Sequence, residues 1–377
     1  MKTSLTSAVM VVLIFFGCTG KHEFTEIKNN EGSLIALNND IPYDVNYFPK
    51  IDSCFMIQNI WFYDSNVGPE HFFAIDSLGR IFVYNYKDNF IYNFDGKGTF
   101  LKKIGGNGYG PGELNNVNSI HIQNDKLRTF MIDQKKVNIY NLDGEFLHSK
   151  TIDNLMEKTP NWFDKGEFKI YEFSITPLGH DKYLRFFNGW NKYYYAEDIS
   201  IITEDKTIKL DSRQKEFSMD KGALELLRNS INNQKLCIAE NSKEKYKINI
   251  FDFDGRKLLE INKAYRKKKY PKAVKLAAKI ANPNFDVSII KYMQAIEDVK
   301  IDKYDRIWVK PFMNEFDPTS INVYDFFDKN GRYLNKIDIG VISNIKLETS
   351  IFFKDDKLMI IGKSNEKKES AIFVFDY

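Results

Sequence analysis

Apolar and polar residues alternate in short runs along most of this chain, and the runs end in turn-forming residues, the pattern of half-buried β-strands joined by hairpins. Ile91 to Gly96, Val137 to Gly144, Ile248 to Gly255 and Val323 to Gly331 each alternate and then supply Asp-Gly or Asn-Gly, which takes the positive φ a tight hairpin needs. A second pattern runs in step with the first. A turn residue, a basic residue and a short apolar strand follow one another at Arg80, Lys126, Lys182, Lys235, Arg306 and Lys357, with 46 to 71 residues between them. The mean spacing, about 55 residues, fits one unit of two hairpins with its loops.

Six such units predict an all-β fold, a six-bladed β-propeller with four-stranded antiparallel blades. The 31 Phe and 21 Tyr favour strands over helices. The third unit is weaker, because Ile199 to Ile202 turns through Glu204-Asp205-Lys206 without glycine. The sixth is incomplete: Ala371 to Tyr377 matches a third strand, and no fourth follows. A ring left so would expose a strand edge. The alternating stretch Tyr43 to Ile51 is the expected donor of the missing strand, giving N- to C-terminal closure. The propeller would then span 41–377. A helical insertion at about 264–298 accounts for the longest interval: Val274, Ala277, Ala278 and Ala281 share one face, Lys275 and Lys279 the other, and Asn282-Pro283 ends it. Met219 to Asn232 also reads as helical, through Leu224, Leu227 and Ile231.

Residues 1–18 stand apart from this ring. Lys2 precedes the apolar run Ala8 to Phe16, which is too short to span a bilayer stably, and Gly17-Cys18 follows at once. The segment resembles a bacterial lipoprotein signal, although Phe15 stands where leucine is preferred; a plain secretory signal is the alternative. The resemblance implies a diacylglyceryl anchor on Cys18, holding the protein to a membrane without a spanning segment. Thr19 after it is compatible with outer-membrane sorting, and residues 19–40 read as a flexible tether, least structured over Lys28 to Ser33.

Cys54 and Cys237 fall in distant units, so each reads as a buried thiol rather than half of a disulfide. The five histidines show no metal-ligand spacing, and no metal or cofactor is expected. A formal charge of +3 gives no reason to expect nucleic acid. One basic run, Arg266 to Lys272, leads into the helical insertion and reads either as a patch for anionic lipid or polysaccharide or as a solvated face.

The glycine-rich stretch Ile104 to Leu114 invites a phosphate-cradle reading, but no Gly-Lys-Ser/Thr follows and a strand comes next, so nucleotide binding is not expected. With Val117 to Ile122 and Val137 to Leu147, this stretch resembles an NHL-type propeller repeat. Its Gly-Pro-Gly-Glu form behind a lipoprotein signal is similar to the six-bladed propeller lipoproteins of Bacteroidetes. That resemblance implies a periplasmic or surface scaffold, and it is weakest in the third and fourth units.

With the turns at Gly79 and Gly96 on one face, the opposite face would carry Tyr86 to Asn89, Gly105 to Glu113, Asp133 to Lys136 and Asn188 to Tyr193. The expected role is a noncatalytic binding scaffold for an envelope glycan or protein, with its ligand over the central channel. Trp190 and Tyr193 offer flat apolar surface for sugar stacking, the amides of Asn188 and Asn191 pair with hydroxyls, and Asp88, Glu113 and Asp133 supply charge. The alternative is a hydrolase or lyase acting on polysaccharide or a lactone, which needs convergent acids among Glu70, Asp88, Glu113 and Asp133. A third reading is an accessory subunit of an outer-membrane uptake complex.

Overall fold

The computed structural model describes residues 26–377 apart from 31, 45, 48, 51–53, 61–68, 153–168, 180–181, 191–193, 217–226, 233, 282, 284–286, 288–290, 313–321, 341–348, 355 and 364–369. The signal segment with Cys18 and the first part of the tether lie outside the described residues.

The N-terminal segment forms β1 (Glu26–Asn30), β2 (Ser33–Asn38) and β3 (Cys54–Ile60). Blade 1 follows as β4 (Phe73–Ile75), β5 (Ile81–Asn85), β6 (Phe90–Phe94) and β7 (Phe100–Gly105). Blade 2 is β8 (Ser119–Gln123), β9 (Lys126–Met131), β10 (Lys136–Asn141) and β11 (Phe146–Thr151). Blade 3 is β12 (Lys169–Gly179), β13 (Lys182–Trp190), β14 (Tyr194–Ile202) and β15 (Thr207–Glu216). Blade 4 is β16 (Arg228–Asn232), β17 (Lys235–Asn241), β18 (Tyr246–Asp252) and β19 (Lys257–Lys263). Helix α1 (Lys272–Ala281) then precedes blade 5, made of β20 (Ile296–Ile301), β21 (Ile307–Pro311), β22 (Val323–Phe327) and β23 (Tyr333–Asp338). Blade 6 has β24 (Thr349–Lys354), β25 (Lys357–Lys363) and β26 (Ser370–Asp376).

Each blade is an antiparallel meander whose first strand lies innermost. Burial falls outward: β5 is buried throughout, whereas of β7 only Ile104 is. Apolar side chains from facing blades interleave, so the core is a set of clusters between neighbours. The largest joins blades 6, 1 and 2 through Ile57, Phe82, Ile91, Leu127 and Phe352.

The recurring Asp-turn-basic pattern has a shared geometry. Asp76 Oδ1 accepts the backbone N–H of Leu78 (3.0 Å) and Arg80 (2.8 Å), and its Oδ2 accepts Arg80 Nε at 2.6 Å. Asp302 repeats this with Tyr304 and Arg306, and Asp252 with Asp254 and Arg256. The basic residue also reaches the next blade: Arg80 meets Asp143 at 3.2 Å, Lys182 meets Asp254 at 2.5 Å, and Lys235 meets Asp305 at 2.7 Å. The repeat read from sequence is therefore a fastening between blades.

Closure joins the two ends of the chain, with a different strand from the one expected. The fourth strand of blade 6 is β3, antiparallel to β26, and not Tyr43 to Ile51. Of that earlier segment, the Tyr43 and Asp44 N–H groups donate to the carbonyls of Tyr333 and Leu334, each at 2.9 Å, so it crosses the rim of blade 5. The expected tether is also corrected over Glu26 to Asn38. There β1 and β2 form a hairpin, and β2 adds in parallel to β19, making blade 4 a six-stranded sheet. Asn38 fixes this addition: its Nδ2 donates to Gly331 O (2.9 Å) and its Oδ1 accepts Tyr333 N–H (2.9 Å). Gly331, at φ +82°, has no room for a side chain, since a Cβ would lie 2.9 Å from that of Ala36.

The helical insertion holds α1 at Lys272–Ala281, but residues 228–232 are strand β16 rather than helix. Those strand residues pair with β17 because blade 4 needs an innermost strand there.

Candidate functional site

The loops of blades 1 and 2 that carry Asp88, Glu113 and Asp133 form one connected layer. Asn89 Nδ2 donates to Asn107 Oδ1 at 3.0 Å, and Gln134 Nε2 donates to Asn115 O at 3.1 Å, tying the three loops together. Within the layer each acid has its own partner. Asp88 Oδ2 accepts Lys103 Nζ (2.8 Å) and Tyr92 OH (2.7 Å). Glu113 Oε2 accepts the N–H of Gly110 at 2.7 Å, and Asp133 Oδ2 accepts Asn116 Nδ2 at 3.4 Å.

The glycines of this loop have packing reasons. Gly108 and Gly110 lie so close to the Glu113 carboxylate that a side chain on either would collide with it. Gly112, at φ +74°, passes 2.9 Å from the Phe146 ring measured from where its Cβ would be. Leu114 is fully buried beneath, and Tyr140 OH donates to Gly112 O at 2.9 Å. The loop thus plugs the gap between blades 1 and 2.

The third-blade residues are placed differently from the expectation of a loop. Asn188 lies inside β13 and is 2% exposed, and Trp190 is the last residue of that strand. Continuing alternation through Phe186 and Phe187 extends the strand across the Asn-Gly pair. Asn191 and Tyr193 lie outside the described residues, and so does His180. Cys237 is buried and free.

The channel itself holds a cavity of about 70 Å³ to which every blade contributes. His71 enters from the 3₁₀ turn before β4, His121 from β8, Thr176 from β12, Asn229 to Ile231 from β16, Lys300 from β20, and Phe352 to Lys354 from β24. Two of these residues, Lys300 and Lys354, carry positive charge into the lining. Lys300 Nζ lies 3.1 Å from Asp298. His121 is 7% exposed, and its Nε2 is buried with no hydrogen-bond partner among the described residues. Burial, with Lys354 and His71 nearby, holds its imidazole well below the usual pKa, so it is neutral at pH 7.

This lining escaped the sequence reading, although a signal existed. His121, Thr176, Ser230 and Lys300 stand five or six residues before the basic residue of their blade, a polar side chain at one recurring place in the innermost strands. In a ring of blades that register is the channel wall.

A second cavity, about 130 Å³, opens between blades 4 and 5 above a buried ion pair. Lys263 Nζ lies 2.9 Å from Asp325 Oδ2 and 4.1 Å from the Tyr333 ring centre. Tyr246 OH (2.8 Å) and Tyr333 OH (3.0 Å) also donate to Asp325, and burial beside this carboxylate pushes both phenols up. The cluster is internally satisfied and reads as structural. Among the described residues no three His, Cys, Asp or Glu side chains are grouped to hold a metal.

Four-stranded blades around a polar channel, sealed by a strand from the other end of the chain, define a six-bladed propeller. Comparison with known proteins agrees. The profile of the DUF5128 family, described as a 6-bladed beta-propeller, matches residues 74–276. The chain belongs to that family. Among solved structures it is similar to a Bacteroides vulgatus member of the DUF4221 family, with 10% identity, TM-score 0.50, and coverage of 87% of this chain and 97% of that one. It is also similar to a Bacteroides fragilis protein assigned as exported (14% identity, TM-score 0.47, 90% and 99% covered). A third is virginiamycin B lyase from Staphylococcus aureus (11% identity, TM-score 0.37, 86% and 99% covered). At these identities the likeness is one of fold. No curated protein matches the chain.

Proposed function

We propose that this propeller is an extracytoplasmic binding scaffold, anchored to the outer membrane through lipid on Cys18, whose partner is an envelope glycan or protein engaged over the central channel. The observation that carries the reading is the channel cavity, where all six blades converge on a lining that holds Lys300, Lys354 and a His121 whose Nε2 has no hydrogen-bond partner among the described residues. Such a lining favours an acidic group on the ligand, a uronate or phosphate of an envelope polymer, over a neutral sugar. Binding is favoured over hydrolysis or lysis because Asp88, Glu113 and Asp133 each hold a separate structural partner.

The test is thermal unfolding of the mature chain against matched neutral and acidic glycans. A ligand at a hundred times its Kd adds about 2.7 kcal/mol of stability. The expected result is a shift with the acidic glycans that Lys354→Met abolishes. A shift with neutral glycans alone, or one that Lys354→Met leaves intact, overturns the channel site. No shift with any glycan leaves the protein-partner form of the reading, tested by crosslinking the anchored chain in intact cells.

A further inference from the structure

We infer that α1 and the basic stem before it form a second membrane contact, lying on an anionic lipid surface beside the N-terminal anchor; the inference rests on the Cys18 anchor proposed above. Leu276 and Ile280 are one helical turn apart and stand 62% and 72% exposed. Spacings of three and four residues put the exposed Lys272 and Lys279 on the flank of the same face. A helix that merely showed lysines to water would have no use for two large aliphatic side chains pointing the same way. The interleaving of aliphatic tips with cations is what a helix lying in the headgroup region requires.

The charge is strongly one-sided. From Ala264 to Ala281 the chain carries seven lysines and arginines and no acid. Lys267 reaches Glu244. Arg266 to Lys269 are all exposed, and the stem is held in place by Met293 N–H donating to Lys268 O (2.8 Å) and by Tyr270 packed edge-on to Phe312. A rigid base therefore presents the helix.

The path of the N-terminal segment places the anchor on this same edge. Glu26 pairs with Leu37, Leu37 pairs with Asn262, and Ala264 N–H donates to Asn38 O at 2.8 Å as the insertion begins. The point where the upstream chain enters the ring is thus two strand spacings, roughly 10 Å, from the root of the insertion. Cys18 is eight residues farther up the chain, at most about 28 Å fully extended. A lipid on Cys18 keeps the cationic helix within reach of the bilayer, and the anchor's single chain-end hold gains a second contact.

The experiment uses the lipidated mature protein in phosphatidylethanolamine vesicles with and without phosphatidylglycerol, read by flotation and by hydrogen exchange of the 272–281 amides. The expected result is flotation in both, with helix exchange slowed about tenfold or more when phosphatidylglycerol is present. The triple variant Lys272→Glu, Lys275→Glu, Lys279→Glu should still float and lose the slowing. Flotation with helix exchange unchanged by phosphatidylglycerol overturns the inference and leaves the anchor standing; the exposed face then belongs to a protein partner. Slowing of equal size in both vesicles overturns the recognition of anionic lipid. A chain that never floats overturns the anchor, and the inference falls with it.

Discussion

Blades 3, 4 and 5 bury far more charge than blades 6, 1 and 2. Blades 6, 1 and 2 share one continuous apolar cluster running from Ile57 through Phe82 to Tyr140. Among the described residues the buried charged side chains are Asp76 in blade 1 and, in blades 3 to 5, Arg185, Glu197, Asp198, Lys263, Lys300, Asp302, Lys310 and Asp325. Arg185 meets Asp198 at 3.4 Å with both 1% exposed, and Glu197 accepts Tyr195 OH at 2.8 Å within blade 3 and Leu227 N–H at 2.9 Å at the blade 3 to blade 4 junction. Apolar clusters fill the junctions of both halves, and blades 3, 4 and 5 add buried pairs to them. An apolar seal tolerates approximate fit, whereas a buried pair fails sharply when one member is lost.

The largest effect is expected on the charged side. Asp325→Ala removes the acceptor of Lys263, Tyr246 and Tyr333 and should cost about 3–5 kcal/mol, read from the urea midpoint. On the apolar side, Ile91→Ala at a fully buried position should cost about 2–5 kcal/mol and show little dependence on pH. An equal pH dependence in the two variants would erase the distinction between the halves.

Glu197 gives the contrast a pH signature. Burial raises its carboxyl to about 7, against 4.5 in the unfolded chain. The folded state therefore holds a proton that the unfolded state releases, and stability falls as pH rises from about 4.5 through about 7. Glu197→Gln should remove this fall, gaining up to about 3 kcal/mol relative to the native chain between pH 4 and pH 8 in urea titrations. A variant whose stability tracks the native chain across that window would place the titration elsewhere. The smallest effect belongs to the rim: Lys182→Met, losing the exposed pair with Asp254, should shift the urea midpoint least of the four, and added salt should shrink the shift further.

The same contrast explains what could be read from the chain. Alternation and Asp-Gly turns made blades 1 and 2 legible, because their strands bury one face and expose the other. In β3 that period breaks. Ile57 and Ile60 are both buried at a spacing of three, since the pairing with β26 shifts register between Ser370 and Ile372. The more regular Tyr43 to Ile51 therefore took its place in the reading. Strand β1 is exposed at every position and has no apolar face to signal it, and β2 shows its role only through Ala36 packing under Gly331. The binding residues expected on blade 3 were displaced for a related reason: Asn188 and Gly189 looked like a turn, yet they continue a strand whose length is set by pairing with both β12 and β14. The channel wall could be found only by laying the units in register, where the polar residues of the innermost strands coincide at one position.

The N-terminal hairpin on blade 4 has a mechanical consequence. Any pull transmitted along the chain from its N-terminal end reaches β1 and β2 before it reaches β3. Strand β2 lies parallel to β19, five residues in register, and is pinned at its far end by Asn38. Tension arriving there is shared across the hairpin and its neighbours, while the closing strand of blade 6, on which the whole ring depends, stays unloaded. The hairpin is a strain relief, like the clamp that grips a cable ahead of its soldered joint.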